Sequence, residues 1–335
     1  MDFAKDFNMM YTRNRHQFSL AIKKKIIALR TLDNWHGLVG CAYDYCVIAI
    51  CVYLFTLSVW FYPIALIVIG SRQRALATIL HESAHYCLAR SPKLNHFLGT
   101  YLSGYLILQE FNIYTDSHIK KHHAFLGNQQ HDPDLIYHHE QGLYTQQSKQ
   151  NFFKRFILKP LLLLNSFSYL KYLITHRMNA SKQYPKQFVA MCGLWVVIFA
   201  ICGYYKVITQ LILLWFIPLV TTAAVFGWFN ELAEHYPMSS ESRTDLYMSR
   251  NRFSHWLEHF LCNTHNEHYH LIHHLYATIP FWNLPKAHQI LLEDAEYARI
   301  NNQKGGIFVS NNHNPPLVKW LLQKFSTNTT QVTHE

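Results

Sequence analysis

The 335-residue chain carries 23 histidines, and eight of them fall into three short clusters with metal-binding spacing. The first is His81-Glu82-Ser83-Ala84-His85, the second His118-Ile119-Lys120-Lys121-His122-His123, and the third His270-Leu271-Ile272-His273-His274. On a helix, residues three and four apart share a face, so each cluster aims two imidazoles in one direction. The third histidine of the later clusters, next to its neighbour in sequence, turns about 100° away and is free to serve an adjoining ion. Neutral imidazole suits iron, zinc or copper. Eight such donors exceed what one ion needs and suit a pair. A single H-x-x-x-H is weak evidence, and HIKKHH alone reads equally well as a solvated basic face. The conjunction of three clusters, each just outside an apolar block, favours one shared metal site.

The apolar blocks must position these clusters. Tyr45 to Gly70 is 26 residues without a charge, and Phe188 to Asn230 is 43 residues with one charge, Lys206. A helical span takes roughly 20 apolar residues, so the second block is a hairpin turning near Gly203–Lys206. The first block fits either one long span or a hairpin turning at Tyr62-Pro63. Lys23, Lys24, Lys25 and Arg30 precede it, and Lys120, Lys121, Lys154, Arg155, Lys159 and Arg177 follow it. The positive-inside rule puts both groups in the cytoplasm and so demands an even number of crossings. The hairpin leaves Arg72 and Arg74 near a membrane edge, where snorkelling would relieve them. Only 32 residues separate His85 from His118, too few for two crossings. The run HFLGTYLSGYLIL must therefore lie in the interface or re-enter. Phe156 to Thr175 reads as an interfacial helix.

The expectation is an all-α integral membrane protein, one domain over 1–335, with four transmembrane helices in two hairpins and a cytoplasmic histidine-rich helical cap. The spans fall at about 43–60, 61–80, 188–205 and 207–229, leaving 1–42, 81–187 and 230–335 cytoplasmic, with both termini on that side of a bacterial inner membrane. Half the residues are hydrophobic and 15% are charged, which excludes a disordered chain. A net charge of +10 suits nucleic acid or an anionic membrane face, and the apolar blocks decide for the membrane. No C-x-x-C pair occurs among the seven cysteines, which argues against a disulfide framework or a cysteine zinc site. The opening MDFAKDFNMMYTRNRHQF lacks the apolar core of a cleaved signal.

The three histidine boxes in order, split by a long membrane hairpin, resemble the integral-membrane fatty acid desaturases, relatives of the membrane hydroxylases and carotenoid ketolases. The resemblance runs from about Tyr43 to His288. HHLYATIPFWNLPKAH looks like that family's continuation after the third box, with Ala277 where a proline is common, and Asp132-Pro133-Asp134 matches its acidic stretch after the second. The resemblance implies two non-haem irons held by His81, His85, His118, His122, His123, His270, His273 and His274. His235 stands where the family adds a ninth ligand. Four residues earlier some relatives carry an asparagine that reaches an iron through water; here that place holds Glu231, with Asn230 beside it. Glu82 and Asp116 are candidates to orient imidazole N–H groups from behind.

The implied activity is O2-dependent insertion of a C=C bond. A fatty acyl chain, lipid-, CoA- or carrier-bound, is the default substrate. The alternative is desaturation or hydroxylation of a small amino-acid-derived metabolite, as in the desaturation step of rhizobitoxine formation. LAEHYP and NEHYHLIHHLYATIPFWNLPKAH look compatible with that branch. With no H-P-G-G haem motif and no plant-type ferredoxin cysteine pattern, electrons must come from a separate ferredoxin- or cytochrome-type donor. The basic face at Lys120, Lys121, Lys154 and Arg155 suits an acidic carrier or anionic lipid. Two rivals are weaker. His81–His85 also spells H-E-x-x-H, the zinc protease motif, but that leaves two clusters unemployed and finds no L-D-G partner. A metal transporter would place ionisable ligands within the spans.

Overall fold

The computed structural model describes residues 13–301, 305–310 and 314–327. Most of the N-terminal stretch judged for a signal lies outside the described residues. Among those described there is no strand, only an isolated bridge between Asn14 and Thr244. Four helices are long and apolar enough to cross a membrane: His36–Leu57, Val59–Ala84, Pro185–Tyr204 and Ile208–Glu241. The first block is thus a hairpin.

After a short helix α1 (Leu20–Ala28), span one is α2 (His36–Leu57). A 3₁₀ turn at Val59–Phe61 reverses the chain, three residues ahead of the expected turn, because the Ser58 side chain caps Trp60 N–H. Pro63 then opens α3 (Tyr62–Ala84), where its missing N–H costs nothing. This helix continues unbroken from the apolar block into His81, so the second span itself carries the first box. It is the most enclosed span, with 61% of its apolar window buried against 11% for the third. Gly70 permits that enclosure: a Cβ there would come 2.8 Å from Ala223 N on the fourth span.

Arg72 and Arg74 do not snorkel. Arg72 is 2% exposed and pairs with Asp44 of α2 at 3.3 Å, while Arg74 pairs with Glu267. Both are helix-facing cations neutralised inside the protein, which is how ionisable groups persist at such depth.

The run after the first box begins as α4 (Pro92–Thr100), capped by Ser91, and then leaves the α-helix. Its freed carbonyls find side-chain donors on the spans. Tyr45 Oη–H donates to Leu102 O, Trp195 Nε1–H to Tyr105 O at 2.8 Å, and Trp215 Nε1–H to Leu106 O at 2.8 Å. Irregular backbone at membrane depth is tolerated only where the protein satisfies it. The segment is accordingly irregular, packed against the spans, and forms no helix long enough to cross.

Box two lies on a π-helical turn, His118–His123, that follows without a break on α5 (Phe111–Ser117), itself capped by the Glu110 carboxylate. Then come α6 (Pro133–Glu140) and α7 (Ser166–Gln183). The expected single interfacial helix over 156–175 is instead a π-turn at Phe153–Leu158, a short helix at Lys159–Leu161, and α7, broken where Leu163 adopts a positive φ of 61°. The third span is α8 (Pro185–Tyr204), and Lys206, with φ 57°, makes the expected turn. The fourth span ends in α9 (Thr222–His235), followed by α10 (Trp256–Cys262), α11 (His270–Leu275) and α12 (Leu284–Leu291).

Candidate metal centre

The C-terminal ends of α3 and α9, the π-turn and α11 meet at one place. His81, His85, His118, His123 and His273 each offer a ring nitrogen within 4.8 Å of the others, and His122, His235 and His274 do the same in a second group. His270 joins the second group, its Nε2 lying 2.9 Å from that of His235 and 3.0 Å from that of His274. In the first, His123 Nε2 is 3.2 Å from His118 Nε2 and 3.0 Å from His273 Nε2. All nine histidines expected from the sequence are therefore brought together. The groups abut, with the rings of His123 and His274 stacked at 4.4 Å.

The partition within box two differs from the α-helical expectation. There, His118 and His122 would share a face and His123 would turn away. Instead His123 joins His118 in the first group, while His122, still within reach of His118 and Asp134, also joins His235 and His274. The π-turn is the reason: its i→i+5 repeat brings residues five apart into line. In box three the α-helical reasoning holds, with His270 and His274 in one group and His273 in the other.

Burial, reinforced by neighbouring imidazoles, lowers the pKa of His85 to about 3 and puts those of His118, His123, His270, His273 and His274 well below the ordinary value. These are neutral donors aiming lone pairs at one another. His85 Nε2 is buried without a hydrogen-bond partner. Imidazoles about 2.1 Å from a shared ion and at right angles stand about 3 Å apart, which matches the nitrogen separations here. The donor set fits a pair of nitrogen-favouring metal ions.

Several ligands are held from behind. His122 Nδ1–H donates to Asp132 Oδ1 at 3.0 Å and approaches Asp134 at 2.9 Å. Burial opposes protonation of His122, but these two carboxylates hold its pKa well above the usual value. Asp134, against the effect of burial, is held at about 2 by His122. The same Asp132 carboxylate caps α6 through Asp134 N–H and accepts from Gly127 N–H, so helix start and ligand orientation depend on one side chain. His235 Nδ1–H donates to Met248 O at 3.3 Å. A proton fixed on Nδ1 leaves Nε2 for the ion. Glu82 lies 3.2 Å from His81 Nδ1 and also accepts from Phe281 N–H, tying box one to the stretch after box three.

Two expected supporting residues do otherwise. Asp116 bonds Lys120 at 2.6 Å and Tyr184, and reaches no imidazole. Asn230 is fully buried, and its amide donates to Cys262 O at 2.8 Å and toward Glu267 at 3.3 Å. Helix rotation explains both: each points away from the face that bears the nearby ligand. His138, on α6 beyond the Asp132-Pro133-Asp134 stretch, is 3% exposed and packs edge-on against Trp228. Burial lowers its pKa to about 4.

A cavity of about 190 Å³ opens beside the first group. Its walls include His81, His118, His270 and His273, with Arg74, Tyr114, Asp134, Glu231, Glu234 and Glu267. Sequence reasoning missed Arg74, Tyr114 and Glu267 here, although Glu267 stands in the NEHYH stretch three residues before box three.

Residues 57–302 match the fatty acid desaturase family. Over 311 residues, covering 90% of this chain and 88% of the relative, the sequence is 38% identical to dihydrorhizobitoxine desaturase of Bradyrhizobium elkanii. The ordered boxes, the four apolar helices that carry them and these matches lead to one conclusion: the chain belongs to the fatty acid desaturase family.

Proposed function

We propose that the protein is an O2-dependent diiron desaturase acting on a small polar metabolite, with its centre on the cytoplasmic face of a bacterial inner membrane. The cavity beside the histidines carries the substrate reading. Small-molecule pockets are usually lined mainly by apolar side chains, and an acyl chain demands such a lining. Here Leu284 is the one aliphatic hydrocarbon side chain among lining residues that otherwise carry polar or charged groups. That supports the amino-acid-derived alternative over the fatty acyl default, and the relative's name points the same way. The family membership disfavours the zinc protease, and His81 and His85 share their group with three histidines of the other boxes.

Two irons would be held by His81, His85, His118, His123 and His273 on one side and by His122, His235, His270 and His274 on the other. When bound they supply the activation of dioxygen that removes hydrogen from an unactivated C–H bond. The balance is one O2, two electrons and two protons consumed with the two substrate hydrogens, giving a double bond and two waters. The electrons come from a separate carrier. Asp132, Asp134, Met248 O and Glu82 keep protons on Nδ1 of their histidines and so hold the rings in ligating orientation. Arg74, held by Glu267 and Thr78, forms a polar part of the cavity wall.

The test is oxygen uptake by the iron-loaded chain in nanodiscs with a chemical reductant, read with mass spectrometry. Small amino compounds should stimulate uptake and yield products lacking two hydrogens, with acyl lipids unchanged. Uptake stimulated by acyl-CoA alone would contradict the proposal.

A further inference from the structure

Glu231 is the cavity carboxylate that makes no hydrogen bond or ion pair of its own among the described residues. Arg74 is matched by Glu267. Glu234 meets Arg252 at 2.9 Å, Asp134 meets His122, and Glu82 meets His81. Glu234 and Asp134 also stand in groups of converging ligand atoms, so an ion beside them would draw on their charge. Glu231 lines the same cavity, yet among the described residues it makes no hydrogen bond or ion pair and belongs to no such group. It lies one helical turn before His235, with Asp134 and Glu234 as like-charged neighbours on the cavity wall and Arg74, already paired with Glu267, as the cation there. A carboxylate in a confined, partly desolvated cavity is costly unless it takes up a proton or a cation joins it.

We infer that Glu231 is the counter-charge for a protonated amino group on the substrate, making it a specificity-determining residue. This deepens the small-polar-substrate reading and rests on it. The ligand class is a primary or secondary amine small enough for about 190 Å³. The ammonium bonds Glu231 and is drawn further by Asp134 and Glu234, which places the hydrocarbon part of the same molecule toward His81, His118 and His273. Charge-assisted hydrogen bonds are the strong ones, so loss of the amine or of the carboxylate should be read directly in affinity.

The experiment is calorimetric binding to the full iron-loaded chain in nanodiscs, with four probes: L-norleucine, hexylamine, N-acetyl-L-norleucine and hexanoate. The two amines should bind about ten-fold or more tightly than the two probes without a cation. Glu231→Gln should erase that difference while iron per chain stays at the wild-type value. Equal binding of all four probes, or of amines to Glu231→Gln and wild type, would overturn the inference and leave the small-polar-substrate reading standing. Loss of iron in Glu231→Gln would also overturn it, by assigning the carboxylate to the metal. Failure of all four probes alongside tight binding of palmitoyl-CoA would remove both readings.

Discussion

The first histidine group gives three rings, His81, His118 and His273, to the cavity wall, whereas the second gives only His270 and is held more closely by its hydrogen-bond partners. Of the five imidazoles in the first, four are partly accessible, and Glu82 at His81 is the acidic partner seen behind them. In the second group, His122, His235 and His270 are buried. Each has an acceptor at Nδ1: Asp132 and Asp134 for His122, Met248 O for His235, and Glu234 at 3.6 Å for His270. One half is thus the more exposed to the cavity and the other the more tightly held by hydrogen bonds.

The hardest way to break this division is to remove the π-turn. Deleting Lys120 should return His118–His123 to α-helical register and take ligands from both groups at once. Metal analysis should find iron lost from both sites and turnover below detection; retention of one full site would show that the turn serves a single group. Smaller effects should separate the two halves. Asp132→Asn frees an enclosed ligand and should cost about 10–100-fold in metal affinity. Glu82→Gln leaves its ligand among four others in the open group and should cost less, as competitive chelation would measure. An equal or larger loss in Glu82→Gln would erase the contrast. Smallest of all is Asp116→Asn, whose carboxylate serves an exposed lysine. Iron and thermal stability should stay within about 0.5 kcal/mol of wild type. His138→Ala, by contrast, should lower stability by about 1 kcal/mol or more, because it empties a buried position beside Trp228.

The spans and the nine histidines were legible because both signals are local: hydropathy over a window and spacing within a turn. The pairing of His118 with His123 was not, since HIKKHH contains nothing that selects a π-turn over an α-turn. That choice depends on the neighbouring helices that bring the other histidines and on Asp132, which bonds His122. Asp132-Pro133-Asp134 was visible as a motif, but its hold on His122 arises only when α6 folds back on box two. The non-crossing run was legible by length alone, and its support by Trp195 and Trp215 needed the second hairpin in place. Asp116 and Asn230 were misplaced for a related reason. Proximity in sequence to a ligand does not fix the helical face, and both turn toward other partners.

The central claim is that two enclosures of imidazole nitrogen each hold one iron. X-ray absorption at the iron edge, combined with metal analysis of the purified full chain, tests it most directly. The account predicts close to two irons per chain in nitrogen-rich shells at about 2.1 Å, falling toward one in His274→Ala. A fully active preparation carrying zinc and no iron, or one iron per chain in both wild type and variant, would contradict it.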